Sequence, residues 1–239
     1  MRMKFLFIAF LFLSKISFCQ NTADSLGVIQ VSNAIKDYNE YTGQNAPVYN
    51  GSEYIYYIFS MEGDPFFTKD PFGKGWIEYD GYMYTPPYIF YDIHRNLVVI
   101  RDTLTSSPVI MENERVDSFS INDHVFIKLQ RDHVHNLYNT GFYEVLYRSD
   151  NIQLLCMRSK EIENLLDRTY VVRKFYEKNK YFIYKKGLYY QVSNKKEVLN
   201  LFSDRKSAFK KEMRKEHLKI KKRNFENALT RATEIYDGL

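Results

Sequence analysis

GWIEYDGYMYTPPYIFYDIHRNLVVIRD, residues 75–102, is the stretch whose reading decides the fold class. Two aromatic-rich arms, 75–79 and 82–84, flank Asp80-Gly81, a pair that supplies the positive φ angles of a two-residue hairpin turn. Pro86 and Pro87 interrupt the second arm. Proline cannot donate to a ladder, so that arm is expected at a sheet edge or at a bend. A second hairpin follows at once in 88–102, turning around the HRN triplet.

The strand period continues on both sides. EYIYYIFS (53–60) is β-branched and aromatic and runs into the turn letters EGDP. DHVFIKLQ (123–130) alternates Val125, Ile127 and Leu129, and GFYEVLYRSDNIQLLCMRS (141–159) turns at Ser149-Asp150-Asn151. TYVVRKFYEKNKYFIYKKGLYYQVSN (169–194) adds turns at KNK and at Gly187. Roughly ten short strands with short connections predict a mainly β domain over 49–194, an antiparallel meander of consecutive hairpins curled into a barrel or incomplete barrel. The runs are mostly shorter than the roughly 9–11 residues an outer-membrane strand needs, which argues against a membrane barrel.

Helical periods flank this β region. Val31, Ala34, Ile35, Tyr38 and Tyr41 recur at spacings of three and four, so 20–48 is expected as a helical lead-in ended by Gly43 and Pro47. At the other end, 195–239 is expected as a pair of amphipathic helices packed on the sheet. Phe202, Phe209, Met213 and Ile220 fall near one face of a helix starting around Ser203 or Asp204. Phe225, Ala228, Leu229, Ala232, Ile235 and Leu239 form the stripe of the next.

The amino terminus sets the compartment. MRMKFLFIAFLFLSKISFCQ (1–20) places Arg2 and Lys4 before an apolar run from Phe5 to Leu13, then small residues. That is the pattern of an export signal over 1–19, too short for a transmembrane helix of about 20 apolar residues. Ser17 and Cys19 occupy the small-residue positions for cleavage before Gln20. The rival is a lipoprotein acylated at Cys19, against which the bulky Phe18 counts. Removal of Arg2, Lys4 and Lys15 lowers the net charge from +5 to (34 − 3) − 29 = +2 and leaves Cys156 without a disulfide partner. Cys156 alternates with Ile152 and Leu154 and is expected as a packed thiol in a strand.

The basic stretch KKEMRKEHLKIKKR (210–223) therefore reads as the solvated face of a docked helix, with Glu212 reaching Lys215 and Glu216 reaching Lys219. In an exported protein it implies no nucleic acid; contact with an anionic membrane surface is the functional alternative. Chemistry-bearing patterns are sparse. His133 and His135 in RDHVHN would share a face of a strand and are the candidate metal ligands, one short of the usual three for catalytic zinc. Glu78, Asp80 and Glu144 have no spacing that defines a catalytic pair, and Asp64, Asp70 and Asp80 lack a calcium-loop spacing. FGKGW (72–76) lacks the spacing of a phosphate loop and reads as turn chemistry, and no GxSxG elbow is present. No catalytic residue and no cofactor is assigned. The 21 tyrosines suit either a pleated core or a concave face for a glycan or apolar ligand.

YNGSEYIYYIFSMEGDPFF (49–67), residues 75–102, GFYEVLYRSD (141–150) and KKEVLNLFSDRKSAFKKEMRKEHLK (195–219) resemble a family of uncharacterised exported proteins of Bacteroidota. The SFCQ junction is similar to the SFAQ endings common among signals of that phylum, with Cys19 in place of alanine. The resemblance implies compartment and architecture and carries no activity. The expected function is a non-enzymatic binding or scaffold protein of the cell envelope, periplasmic or secreted, for an apolar or glycan ligand or a partner protein. The alternatives are a periplasmic metal-dependent hydrolase around His133 and His135, and a purely structural envelope component. Peptide sequencing of the native product is expected to begin at Gln20; recovery of intact Met1 would remove the basis for export.

Overall fold

The computed structural model describes residues 51–57, 61–69, 72–86, 88–101, 107–167 and 170–239. The expected signal segment and the helical lead-in over 20–48 lie outside them. After β1 (Ser52–Glu53), the Asp80-Gly81 turn joins β2 (Ile77–Tyr79) to β3 (Tyr82–Tyr84). Its two residues take φ of 52° and 74°, the paired positive angles that match strand twist. The next hairpin, β4 (Tyr88–Asp92) and β5 (Leu97–Arg101), turns with Asn96 at φ 58°. Then come β6 (Pro108–Ile110), β7 (Val116–Ile121) and β8 (His124–Leu129), the last two joined through Asn122 at φ 53°. β9 (Gly141–Arg148) and β10 (Ile152–Met157) form the hairpin expected at Ser149-Asp150-Asn151. β11 (Lys160–Asp167), β12 (Tyr170–Glu177), β13 (Lys180–Lys185) and β14 (Leu188–Val192) precede α1 (Lys195–Leu201), α2 (Lys206–Lys215) and α3 (Phe225–Asp237).

The strands form three antiparallel sheets. Eight follow the order β14-β13-β10-β9-β8-β7-β2-β3, four the order β1-β6-β5-β4, and β11 and β12 make a two-stranded ribbon. The expected mainly antiparallel β architecture with C-terminal helices is what the chain adopts. A closed barrel is not: the large sheet ends on β14 and β3, and β3 is an edge strand as the two prolines require. The physical reason lies in FGKGW. Gly73 exchanges backbone hydrogen bonds with Ile89 of β4, whereas Asn122 donates to the Lys74 carbonyl and Ser120 to that of Trp76. This short run therefore passes from the small sheet to the large one and stacks them, so the strands form two layers instead of a single ring.

Alternation then fills both sides of the small sheet. Ile89, Tyr91, Val98 and Ile100 face the large sheet and pack with Ile77, Phe119, Phe126 and Phe142, all fully buried or nearly so. Phe90 and Val99 point the other way, under Tyr54, Phe66 and Phe72. Among the described residues of EYIYYIFS, Glu53 lies in β1 and the Tyr54 N–H still bonds to the Pro108 carbonyl of β6, while Tyr54 and Tyr57 donate their hydroxyls to Asp92 at 2.9 and 3.0 Å. Asp92 is wholly buried, and it also accepts from the backbone N–H groups of His94 and Arg95, so its oxygens are satisfied without a cation.

The same face of the large sheet carries the helices beside the small sheet. Ile152, Leu154, Ile183 and Val192 meet Phe202, Phe209, Met213, Ile220, Leu229 and Ala232. Both apolar stripes read from the sequence are thus turned to this core, with Phe225 half-buried and Leu239 exposed. Asn194 accepts from the N–H of Glu197, whose carboxylate accepts from the N–H of Ser193, a reciprocal cap that starts α1. Cys156 is fully buried on this face, where burial raises its thiol pKa far above the ordinary value.

Gly75→Ala tests the two-layer corner. A Cβ there would lie 1.9 Å from the Ser120 carbonyl oxygen, a backbone atom that cannot swing aside. Overpacking of this kind is expected to cost about 3 kcal/mol by urea denaturation. Gly81→Ala, with nothing near its Cβ and only the positive φ to bear, should cost about 1 kcal/mol. Equal losses at the two positions would contradict the stacked arrangement.

Candidate functional site

Three polar clusters sit within the described residues, and two of them join layers. Arg158, just beyond β10, donates through Nε to Glu144 at 2.5 Å and through both terminal nitrogens to Glu226 of α3 at 2.5 and 3.0 Å. Tyr181 donates to Glu226 at 3.0 Å, and His124 Nδ1 lies 2.5 Å from the other Glu144 oxygen. Burial opposes charge on the guanidinium, yet the Glu226 and Glu144 carboxylates hold its pKa above the ordinary arginine value. Burial likewise pushes Glu226 up, and the bonds from Arg158 and Tyr181 outweigh it, leaving the carboxyl below its usual range. No sequence spacing singles out Arg158 or Glu144; register across β8, β9 and β10 brings them together.

The second junction is Lys185, which is nearly buried. Its ammonium donates to the Leu201 carbonyl at the end of α1, at 2.9 Å, and to both oxygens of Asp204 at 3.0 and 3.2 Å. Tyr236 donates to Asp204 at 2.7 Å while its ring stacks on Phe202. Burial acts to raise the Asp204 pKa, but the Tyr236 and Lys185 bonds prevail and hold it at about 2. The third cluster is the Asp92 socket. All three are internally satisfied, which is what structural polar groups require and what leaves little free to engage a ligand.

The sequence candidates fare as follows. His133 and His135 lie in a turn closed by mutual backbone bonds of Asp132 and Leu137, where the strand geometry that would align them is absent. Asp132 takes the N–H groups of Val134 and His135, folding the segment into a polar turn. Arg131 Nε donates to His133 Nε2 at 2.6 Å, and His135 Nδ1 stands 2.5 Å from Asp132. Among the described residues no group of three His, Cys, Asp or Glu side chains is arranged to hold a metal. Glu78, Asp80 and Glu144 stay apart: Glu78 accepts from Ser118, Asp80 pairs with Arg115, and Glu144 belongs to the Arg158 cluster. Asp64 accepts from Lys160, and Asp70 lies outside the described residues.

A further candidate is a groove on the helical layer. It has a volume of about 450 Å³ and is walled by Lys195, Lys210, Arg214 and Lys219 with His217, over a floor of Leu199, Met213 and Leu218. No carboxylate among the described residues lines it. Among the described residues none of its four permanent cations is ion-paired, whereas Lys215 on the same helix pairs with Glu212 at 3.1 Å. Glu216, expected to reach Lys219, instead accepts both nitrogens of Arg231 on α3, at 2.6 and 2.7 Å. The planar fork of arginine matches a carboxylate bidentately, which a lysine cannot do, and the result leaves Lys219 unpaired. His217 ends α2 with φ 53°, while the Leu218 N–H returns to the Met213 carbonyl at 2.8 Å. This reversal turns Leu218 and Lys219 back beside α2. The basic run was visible in the sequence; Lys195 and Leu199, contributed by α1, were not.

Arg158→Met is expected to cost about 3–5 kcal/mol in urea denaturation, because Glu144, 2% exposed, keeps only His124 as a partner. Adding Glu144→Leu should recover part of that loss; no recovery would mean the buried charge is not the source of the cost. Comparison with protein-family models, curated proteins and solved structures finds no match to this chain.

Proposed function

We propose that the protein is an exported, non-enzymatic binding protein of the cell envelope that holds anionic ligands in the basic groove of its helical layer. The observation that carries this reading is the accumulation of four cations, unpaired among the described residues, around one apolar-floored depression, with Glu212 and Glu216 directed to Lys215 and Arg231. Like charges gathered in this way repel one another, and an anion placed among them relieves the repulsion. A solvated helix face that served solubility alone would intersperse its signs, as α2 does on its Glu212–Lys215 side.

Export rests on the amino-terminal signal pattern, and the resemblance to exported Bacteroidota proteins agrees with it. In that compartment the natural anions are lipid headgroups, phosphorylated glycolipids and acidic polymers, and nucleic acid is not among them. The volume of the groove falls in the range of roughly 300–1,000 Å³ typical of small-molecule sites. The two layer-joining clusters make the sheet a scaffold on which the helices are fixed.

The test uses the chain from Gln20 onward with polyphosphate and with vesicles containing an anionic phospholipid. Lys210→Glu together with Arg214→Glu, both at exposed positions, should weaken binding to each by at least about 30-fold, from about 1 kcal/mol for each cation lost. Wild-type binding should fall steeply as salt rises. Unchanged binding by the double variant would overturn the groove as the site.

A further inference from the structure

The groove is not only basic. Leu199 and Leu218 are half-buried at its base, and Met213 completes the floor from within the helical core. A site for a purely hydrophilic anion gains nothing from aliphatic walls, and leaving Leu199 and Leu218 open to water costs free energy in the unliganded protein. An apolar floor beneath a cationic rim is the complement of a molecule with a charged head and a hydrocarbon stem.

Resting on the anion-binding reading above, we infer that the ligand is a phosphate-bearing lipid, its headgroup held by Lys195, Lys210, Arg214 and Lys219 and the first part of its chain laid along Leu199, Met213 and Leu218. The cations select the head. A phosphate offers several acceptor oxygens and up to two negative charges, which suits three ammonium groups and one guanidinium fork better than a single carboxylate does. The floor selects the stem. Met213 adds a flexible, polarisable side chain that adapts to chains of differing shape. The groove is limited to about 450 Å³, so it accommodates a head and a short run of methylenes and leaves the rest of the chain outside. Such a site engages a lipid still seated in a membrane, without extracting it.

Titration of the wild-type protein with soluble phosphatidic acids of increasing chain length, below their micellar concentrations, separates head from stem. Glycerol phosphate reports the head alone. Affinity is expected to rise about four-fold for each added methylene that reaches the floor, then to level off once the floor is covered. Leu218→Gln and, separately, Leu199→Gln should flatten this rise, whereas Leu218→Met, which keeps the floor apolar, should preserve it. Two outcomes overturn different things. Affinity independent of chain length, with polyphosphate still lost in the Lys210→Glu, Arg214→Glu variant, removes the lipid and keeps the anion site. Phosphatidic acid and polyphosphate both binding that charge variant as they bind wild type removes the groove altogether.

Discussion

The guanidinium of Arg158 is the contact on which the arrangement of layers depends. It stands at the seam between sheet and helices, with Glu144 of β9 on one side and Glu226 of α3 on the other. Two carboxylates in a place largely closed to water would repel each other and drive α3 away from the sheet. One delocalised cation with five donors satisfies both at once, and Tyr181 and His124 occupy remaining acceptor positions. Buried ion pairs contribute little to stability compared with a hydrophobic replacement, so their use here is in fixing position. Arg158 sets where α3 begins, the Lys185–Asp204–Tyr236 contact sets where α1 ends and α3 finishes, and the groove between α1 and α2 inherits both constraints.

How much of this was legible in the sequence depends on how local each determinant is. The Asp80-Gly81 hairpin was readable because its backbone angles are dictated by the two residues that adopt them. The amphipathic stripes of α2 and α3 were readable for a similar reason: a periodic apolar face has to be buried somewhere. Val125, Ile127 and Leu129 do share a face, but it is the half-buried one, and Phe126 on the opposite side meets the core. Of the barrel or incomplete barrel expected, the closed form does not occur, because closure turns on how closely the backbones approach at Gly75 and Ser120, which no period records. The pairing of β10 with β13 was equally hidden, since strand pairing across an intervening hairpin leaves no trace in local pattern.

The groove shows the same division. Charge density along 210–223 announced itself, whereas the distinction between paired and unpaired cations did not. Glu216 had Lys219 within reach on its own helix and Arg231 on the next, and the choice of Arg231 follows from bidentate geometry available only after α3 has docked. The packing that holds the helices on the sheet thereby decides which basic side chains remain available at the surface.

The β11–β12 ribbon leaves the large sheet at Ser159 and returns at Lys178, its base closed by the Lys178 N–H on the Ser159 carbonyl and the Ser159 hydroxyl on that of Lys178. Because β10 and β13 pair directly across this base, no register in the large sheet depends on what lies beyond it. The ribbon has its own anchor elsewhere, since Glu62 exchanges backbone hydrogen bonds with Arg173 and Phe175, and Lys160 donates to the Asp64 and Phe66 carbonyls. Descendants of this chain, or a designer, are therefore free to change composition at the exposed Leu165, Leu166 and Val171, whereas changes at Lys160 or Phe175 would disturb the segment they hold.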